Sequence, residues 1–200
     1  MKKIPLWLAF FFLIVANSFA TPNQPTTPWV SAGFKNDSKP TFMDKVQHRL
    51  HQIWYDGTTD LYVTGYAWHN RFTYGSARIQ RAQWNEFAEG GGLGRGFYDE
   101  DGDWHALYAI GFSDSHYNFQ PVVGYGFLKM LHLPKTLNLG GGFTWFATER
   151  KDIFYGIPFI GIPLPMVSVG IWRISLYATY VPGNTNAGNI LFMFGKLTLT

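Results

Sequence analysis

From Asp60 onward, apolar and polar side chains alternate with a period of two, in runs of about ten residues separated by turn-forming residues. The pattern predicts strands at 60–74, 87–98, 103–114, 119–130, 136–149, 157–170, 172–181 and 189–199. Turns fall at Asp101-Gly102, at Ser115 to Asn118, near Pro134, at Ile171 to Arg173 and at Pro182-Gly183-Asn184. Eight strands is the smallest size of an outer-membrane barrel, and in lipid the sheet must close because an open edge leaves amides unpaired. Ahead of the strands, Phe42, Met43, Val46, Leu50, Ile53 and Trp54 recur at helical spacing, with Asp44, Lys45, Gln47, His48 and Arg49 on the other face. This predicts an amphipathic helix over 41–56, either a lid on the barrel end or a helix lying in the membrane interface. The expected fold class is all-β: an eight-stranded antiparallel transmembrane β-barrel (57–200) with an N-terminal amphipathic helix.

The start of the chain reads differently. Lys2 and Lys3, the apolar run Ile4 to Ala16 and the small residue Ala20 predict a signal peptide over 1–20. Residues 21–40, with Pro22, Pro25, Pro28 and Pro40, predict a flexible N-terminal segment. One stretch inside the barrel is unusual. Ile153 to Trp172 carries no charge, yet Gly156, Pro158, Gly161, Pro163, Pro165 and Gly170 exclude a helix and interrupt a strand ladder. A place where the wall loses hydrogen bonds is expected there, a side door if the substrate is a membrane lipid.

Composition narrows the class. Aromatics make up 18% and charged residues only 14%, at a mean hydropathy of −0.06. Soluble domains carry about 25% charge, and a helical membrane protein would be more hydrophobic. Aromatic girdles around a barrel fit both values. The excess of 16 Lys+Arg over 13 Asp+Glu includes two lysines of the signal peptide. The remaining basic residues are scattered, which excludes the clustered face of a nucleic-acid binder. Cysteine is absent, so there is no disulfide framework or thiolate chemistry.

Polar, reactive side chains sit among aromatics at strand ends. His69 lies in Trp68-His69-Asn70-Arg71-Phe72, and Asp114-Ser115 closes a predicted strand. An isolated histidine is more often structural than catalytic, and an Asp-Ser pair at a strand end is often a turn cap. Together, however, His69, Asp114 and Ser115 supply the parts of acyl transfer: a base, a carboxylate and a hydroxyl. No Gly-x-Ser-x-Gly elbow is present. Gly90-Gly91-Gly92-Leu93-Gly94 opens a strand rather than a helix, so it reads as close packing inside a narrow barrel and not as a phosphate loop. The histidines at 48, 51, 69, 105, 116 and 132 lack metal-ligand spacing, and no metal site is expected.

Taken in order, several stretches resemble the lipid A palmitoyltransferases called PagP. They are Asp60-Leu61-Tyr62, Trp68-His69, Arg71-Phe72, Gly90-Gly91-Gly92, Asp99-Glu100, Gly102, Trp104-His105, Leu107-Tyr108-Ala109, Phe112, Asp114-Ser115, Gly124-Tyr125-Gly126, Ser168-Val169-Gly170, Tyr180-Val181-Pro182-Gly183 and Gly188-Asn189. The resemblance implies an outer-membrane enzyme; a narrow barrel with a buried lipid slot is expected to work as a monomer, and a phospholipid ester is activated enough for transfer without a cofactor. The enzyme would move a palmitoyl chain from a glycerophospholipid donor to a hydroxyl of a hydroxyacyl chain on lipid A, with its active site facing the extracellular side. The resemblance makes His69, Asp114 and Ser115 the essential residues and Gly126 the floor of the acyl pocket. Asp99 and His105 would be polar residues of the extracellular loop and strand ends. Arg150, at the same rim, would meet lipid phosphate, which its fork suits. Pro165 and Pro182 would flank a lateral gate. Thr64 and Ala88 stand where the family has the prolines of a second gate, and His116 stands where it has a tryptophan. Whether Ser115 carries the acyl group or His69 activates the acceptor directly stays open. The alternatives are a lipid A deacylase or lipase using water as acceptor, and a non-catalytic structural or adhesive barrel.

Overall fold

The structure, a computed structural model, describes residues 41–133, 136–150, 157–185 and 188–199. The predicted signal peptide and the segment 21–40 lie outside the described residues. The chain divides into two units, Met1–Gly57 and Thr58–Thr200.

In the first unit, α1 runs over Phe42–Tyr55. Thr41 caps it reciprocally: its hydroxyl accepts from the Asp44 N–H at 3.2 Å, and its own N–H donates to Asp44 Oδ2 at 2.8 Å. Phe42, Met43, Leu50 and Tyr55 are exposed. Among the described residues no helix is long and apolar enough to cross a membrane.

The second unit contains β1 (Thr58–His69), α2 (Ser76–Ala82), β2 (Phe87–Tyr98), β3 (Trp104–Ser113), β4 (Phe119–His132), β5 (Leu137–Glu149), β6 (Pro158–Ile160), β7 (Leu164–Ile171), β8 (Ile174–Val181) and β9 (Ile190–Thr198). Neighbours pair antiparallel, and β1 pairs with β9 from Asp60↔Thr198 to His69↔Ile190, which closes the sheet. β6 and β7 share one stave, since both pair with β5, so the barrel wall is eight-stranded. The predicted strand over 157–170 is thus broken at Gly161–Pro163, where Pro163 has no ladder donor to offer. The predicted strand 60–74 stops at His69 because Asn70 turns the chain: its side chain accepts from Phe72 N at 2.9 Å and its carbonyl from Thr73 N at 3.1 Å. The short α2 was not predicted from the pattern.

Burial inverts the logic of a soluble protein. In β7, Leu164, Met166, Ser168 and Gly170 are buried while Pro165, Val167, Val169 and Ile171 are exposed, as expected for an apolar band facing lipid. Inside, aromatic rings need room that only glycine gives. A Cβ on Gly94 would lie 2.8 Å from the Tyr62 ring, and one on Gly124 2.6 Å from the Tyr108 ring. Tyr62, Trp104, Tyr108, Leu128, Met166, Tyr177 and Phe194 form the core. Below them a polar plug fills the barrel. The Lys196 ammonium lies 3.3 Å from Asp60 Oδ2 and 5.0 Å over the Trp104 ring, and the Thr198 hydroxyl donates to Asp60 Oδ1 at 2.7 Å.

Candidate active site

The connections at the two ends of the barrel differ. At one end few residues separate consecutive strands: 99–103, 133–136 and 172–173. At the other lie the long connection from Asn70 to Glu86, which contains α2, the turn 114–118, and the ends of β5, β8 and β9. His69 and Ser115 are at this second end. β1 ends on His69 and β3 on Ser113, so antiparallel order brings both to the same rim.

The site is a chain of three side chains. Ser115 Oγ lies 3.2 Å from His69 Nε2, and His69 Nδ1 lies 3.1 Å from Glu86 Oε1. The same Glu86 oxygen accepts from the His69 backbone N–H at 3.1 Å, while Oε2 accepts from Tyr66 OH and Arg71 Nη2, each at 2.6 Å. Burial alone would raise the Glu86 carboxyl. The donors from Tyr66, Arg71 and His69 outweigh it and bring it down to about 2. An ionised Glu86 only accepts, so the imidazole carries its proton on Nδ1 and turns the Nε2 lone pair toward the Ser115 hydroxyl. The ring is held from its faces as well. Trp84 stacks on it at 4.5 Å between centroids, 14° from parallel, and Tyr74 meets it edge-on at 5.8 Å. Tyr74 in turn donates to Gly188 O. The segment before β2 also pins the serine side. Asn85 N donates to Ser115 O at 3.1 Å and Asn85 Nδ2 to Ser113 Oγ at 3.1 Å.

The predicted residues do not all share this place. Asp114 sits at the site, but its carboxylate makes no bond to His69. Oδ1 accepts from His116 N at 2.8 Å and Asn118 N at 2.7 Å, capping the turn that presents Ser115. The carboxylate that meets the histidine is Glu86, which sequence reasoning missed. Arg150 lines the mouth of the cavity with Ser115. Asp99 and His105 are not on this rim. β3 starts beside them and runs away to Ser113, so they lie at the opposite end of the barrel. There His105 Nε2 is 3.0 Å from Asp99 Oδ2 and its Nδ1 2.6 Å from Tyr125 OH.

Beneath Ser115 an apolar cavity descends into the barrel between Ala67, Ile110, Phe112, Val122, Phe146 and Phe192. It ends on Tyr108, Thr144, Leu164 and Phe194, where Tyr108 and Thr144 are hydrogen-bonded across the interior. Gly126 is not in its lining. It is the ladder partner of Thr144, and a Cβ there would lie 3.1 Å from Trp104 and 3.2 Å from Met166, in the layer below. His69 does not line the cavity either and is 2% exposed, so the chamber meets the imidazole through Ser115.

The wall beside the cavity is open on one side. β8 pairs with β9 up to Val181↔Ile190 but with β7 only up to Met166↔Thr179. Above that point Leu164 and Val181, both lining the cavity, face one another without a ladder, and the Thr179 hydroxyl donates to the Pro165 carbonyl at 2.9 Å. Pro165 and Pro182, both exposed, lie on the two sides of this seam. The β1–β2 seam is different. Its ladder is irregular after Thr64, but the Thr64 hydroxyl donates to Ala88 O at 2.6 Å across it, and Ala67 N donates to Glu86 O at 2.8 Å.

Among the described residues no group of His, Asp and Glu is arranged to hold a metal ion. Residues 49–196 match the family described as "Antimicrobial peptide resistance and lipid A acylation protein PagP". The chain is 49% identical over 150 residues to a lipid A acyltransferase PagP of Legionella longbeachae, an alignment that covers 75% of this chain and 64% of that protein. To the protein of that name from Bordetella bronchiseptica it is 47% identical over 189 residues, 94% of each. To that of Legionella pneumophila strain Corby it is 39% identical over 204 residues, the full length of both. The matched span takes in the whole of this rim, from the end of β1 through Glu86 and Ser115 to the open seam beside β8, and the chain belongs to the PagP family.

Proposed function

We propose that this outer-membrane barrel is a lipid A acyltransferase, moving a palmitoyl chain from a glycerophospholipid to a hydroxyl on lipid A. The observation that carries the reading is a serine, activated by a carboxylate-oriented histidine, at the mouth of an apolar cavity whose wall is unladdered on one side. A membrane lipid reaches such a cavity by lateral diffusion, without leaving the bilayer. The curated relatives named as lipid A acyltransferases support the reaction class.

Because Ser115 stands between the imidazole and the cavity, it is the group that meets the ester. His69 Nε2 takes the Ser115 proton as Oγ attacks the ester carbonyl. The C–O bond to the lysophospholipid then breaks, and the imidazolium returns the proton to the departing alkoxide. In the second half, His69 takes the proton of the lipid A hydroxyl, whose oxygen attacks the acyl-serine and releases Ser115 Oγ as a hydroxyl. The phospholipid ester is the activated acyl group, and no cofactor takes part. The acyl chain lies in the cavity with its end at the layer of Tyr108 and Thr144, above Gly126. Arg150 at the mouth meets the lipid headgroup. The catalytic rim carries the longer connections, as the extracellular end of such barrels does, so the site faces outward.

The test is mass spectrometry of lipid A from cells expressing this chain in a host without such an enzyme, beside a Ser115→Ala control. An added palmitoyl chain only with the unaltered serine is the expected result. Free fatty acid with unchanged lipid A would instead make the protein a deacylase, and no change with a folded barrel would make it non-catalytic.

A further inference from the structure

Next to the catalytic rim lies a second concavity, lined by Arg78, Arg81, Trp84 and His116 together with the small residues Gly75, Ala77 and Ala82. Its wall holds no carboxylate. Trp84 is the indole that stacks on His69, and His116 follows Ser115 in the chain, so this concavity and the acyl cavity meet at the reacting atoms from different sides. Arg71, in the loop just before α2, has its charge answered by Glu86. Arg78 and Arg81 have no such partner: among the described residues neither forms an ion pair with a carboxylate. Arg81 Nε donates to Ala77 O at 3.1 Å, which steadies that guanidinium while leaving its terminal nitrogens directed elsewhere. The two arginines sit three apart on α2 and therefore on one face. Two unanswered like charges weaken so short a helix, and an anionic ligand between them would reverse that.

We propose that Arg78 and Arg81, with Trp84 and His116 as side walls, bind a phosphate group carried by a lipid substrate and hold it beside the Ser115–His69 pair. The inference rests on the acyl-transfer reading above. A guanidinium fork fits phosphate with two parallel N–H donors. The acyl chain of the donor occupies the apolar cavity, so a phosphate on this outer side belongs to whichever lipid presents its polar part there. The acceptor is the substrate that must approach Ser115 from outside the barrel.

The experiment uses the full refolded barrel in detergent, with wild type, Arg78→Gln/Arg81→Gln and the charge-preserving Arg78→Lys/Arg81→Lys. Folding of each is checked by the mobility shift of the unheated barrel on electrophoresis. Three rates are measured: transfer to phosphorylated lipid A, transfer to enzymatically dephosphorylated lipid A, and hydrolysis of the phospholipid without acceptor. The expected result is a rise of about tenfold in KM for phosphorylated lipid A in the glutamine variant, partly restored by lysine. The advantage of the phosphorylated acceptor should then vanish. If hydrolysis of the phospholipid falls in parallel, the bound phosphate is that of the donor headgroup. Equal transfer by wild type and the glutamine variant to both acceptors, with equal hydrolysis, overturns the site. Wild type that transfers to neither acceptor refutes the acyl-transfer reading itself, an outcome distinct from an insensitive variant.

Discussion

Glu86 fixes which nitrogen of His69 is basic, and the consequence can be read in a pH profile. The carboxylate favours the imidazolium, so removing its charge lowers the histidine pKa. Glu86→Gln should therefore move the acid limb of kcat/KM to lower pH, because the neutral imidazole then persists further into acid. It should also cut kcat/KM by about 10²–10⁴-fold, since the Gln amide no longer enforces the Nδ1–H tautomer. A profile that keeps its acid limb in place would make Glu86 a mere anchor of Arg71. The acid limb belongs to His69 and not to Glu86, which stays ionised down to about 2. The stability that Glu86 contributes is present above its unfolded pKa and disappears only as pH falls through that folded value. His69 and Ser115 were legible in the sequence because each lies in a short aromatic-polar motif at a strand end. Glu86 was not, because it follows a helix too short to show a period, and its approach to His69 is made by closure of the β1–β2 hairpin rather than by spacing. Asp114 carried a true signal for the wrong partner. Its ordinary role at a strand end, capping a turn, is the one it performs, and Asp114→Ala should lower activity by loosening the turn beneath Ser115. Rates in the folded variant, set beside those of Ser115→Ala, check this.

The seam between β7 and β8 is where element geometry becomes function. The prolines in 153–172 announced a broken wall from the sequence alone, since each removes a ladder donor. Which neighbour the break would face was legible only through the family resemblance, which sets Pro165 against Pro182, because the residue pattern alone does not show β6 and β7 sharing one stave against β5. Leu164 and Val181 are opposite each other by extension of the Met166↔Thr179 register. The chain has no cysteine, so Leu164→Cys/Val181→Cys introduces one possible crosslink. Oxidation should reduce transfer about tenfold or more, with recovery on reduction, if lipid passes through this seam. Undiminished activity in the oxidised barrel would place the route elsewhere. Depth is a second property of the staves. Gly126 lies one layer below the end of the cavity, and a methionine there has Trp104 and Met166 beneath it and only the Tyr108–Thr144 layer to push into. Gly126→Met should thus shift the transferred chain to fewer carbons, read by mass spectrometry of modified lipid A. An unchanged palmitoyl chain would locate the ruler at Tyr108 and Thr144 alone.

Seen as a whole, the barrel carries lipid-like side chains outside and divides its interior into an apolar upper chamber and a polar lower plug. The period-two pattern made the strand count and the outward apolar face legible. It could not show that Asp60 and Lys196, 136 residues apart, would meet inside, because that requires β1 and β9 to close the sheet. Their side chains are 0% and 4% exposed, so each charge depends on the other. Breaking such a pair leaves an uncompensated buried charge at a cost of about 3–5 kcal/mol, whereas replacing both partners by apolar groups is often neutral. Lys196→Met should accordingly destabilise the barrel by about that amount, and Asp60→Leu combined with Lys196→Met should recover most of the loss. Equilibrium unfolding in guanidinium from detergent micelles measures both. The plug lies at the end of the barrel away from Ser115, so the double variant should retain transfer once folded. A single variant as stable as wild type would mean that water reaches Asp60 from that end of the barrel, and that the floor of the acyl chamber is held by the aromatic layer of Tyr62, Trp104 and Tyr177 without help from the ion pair.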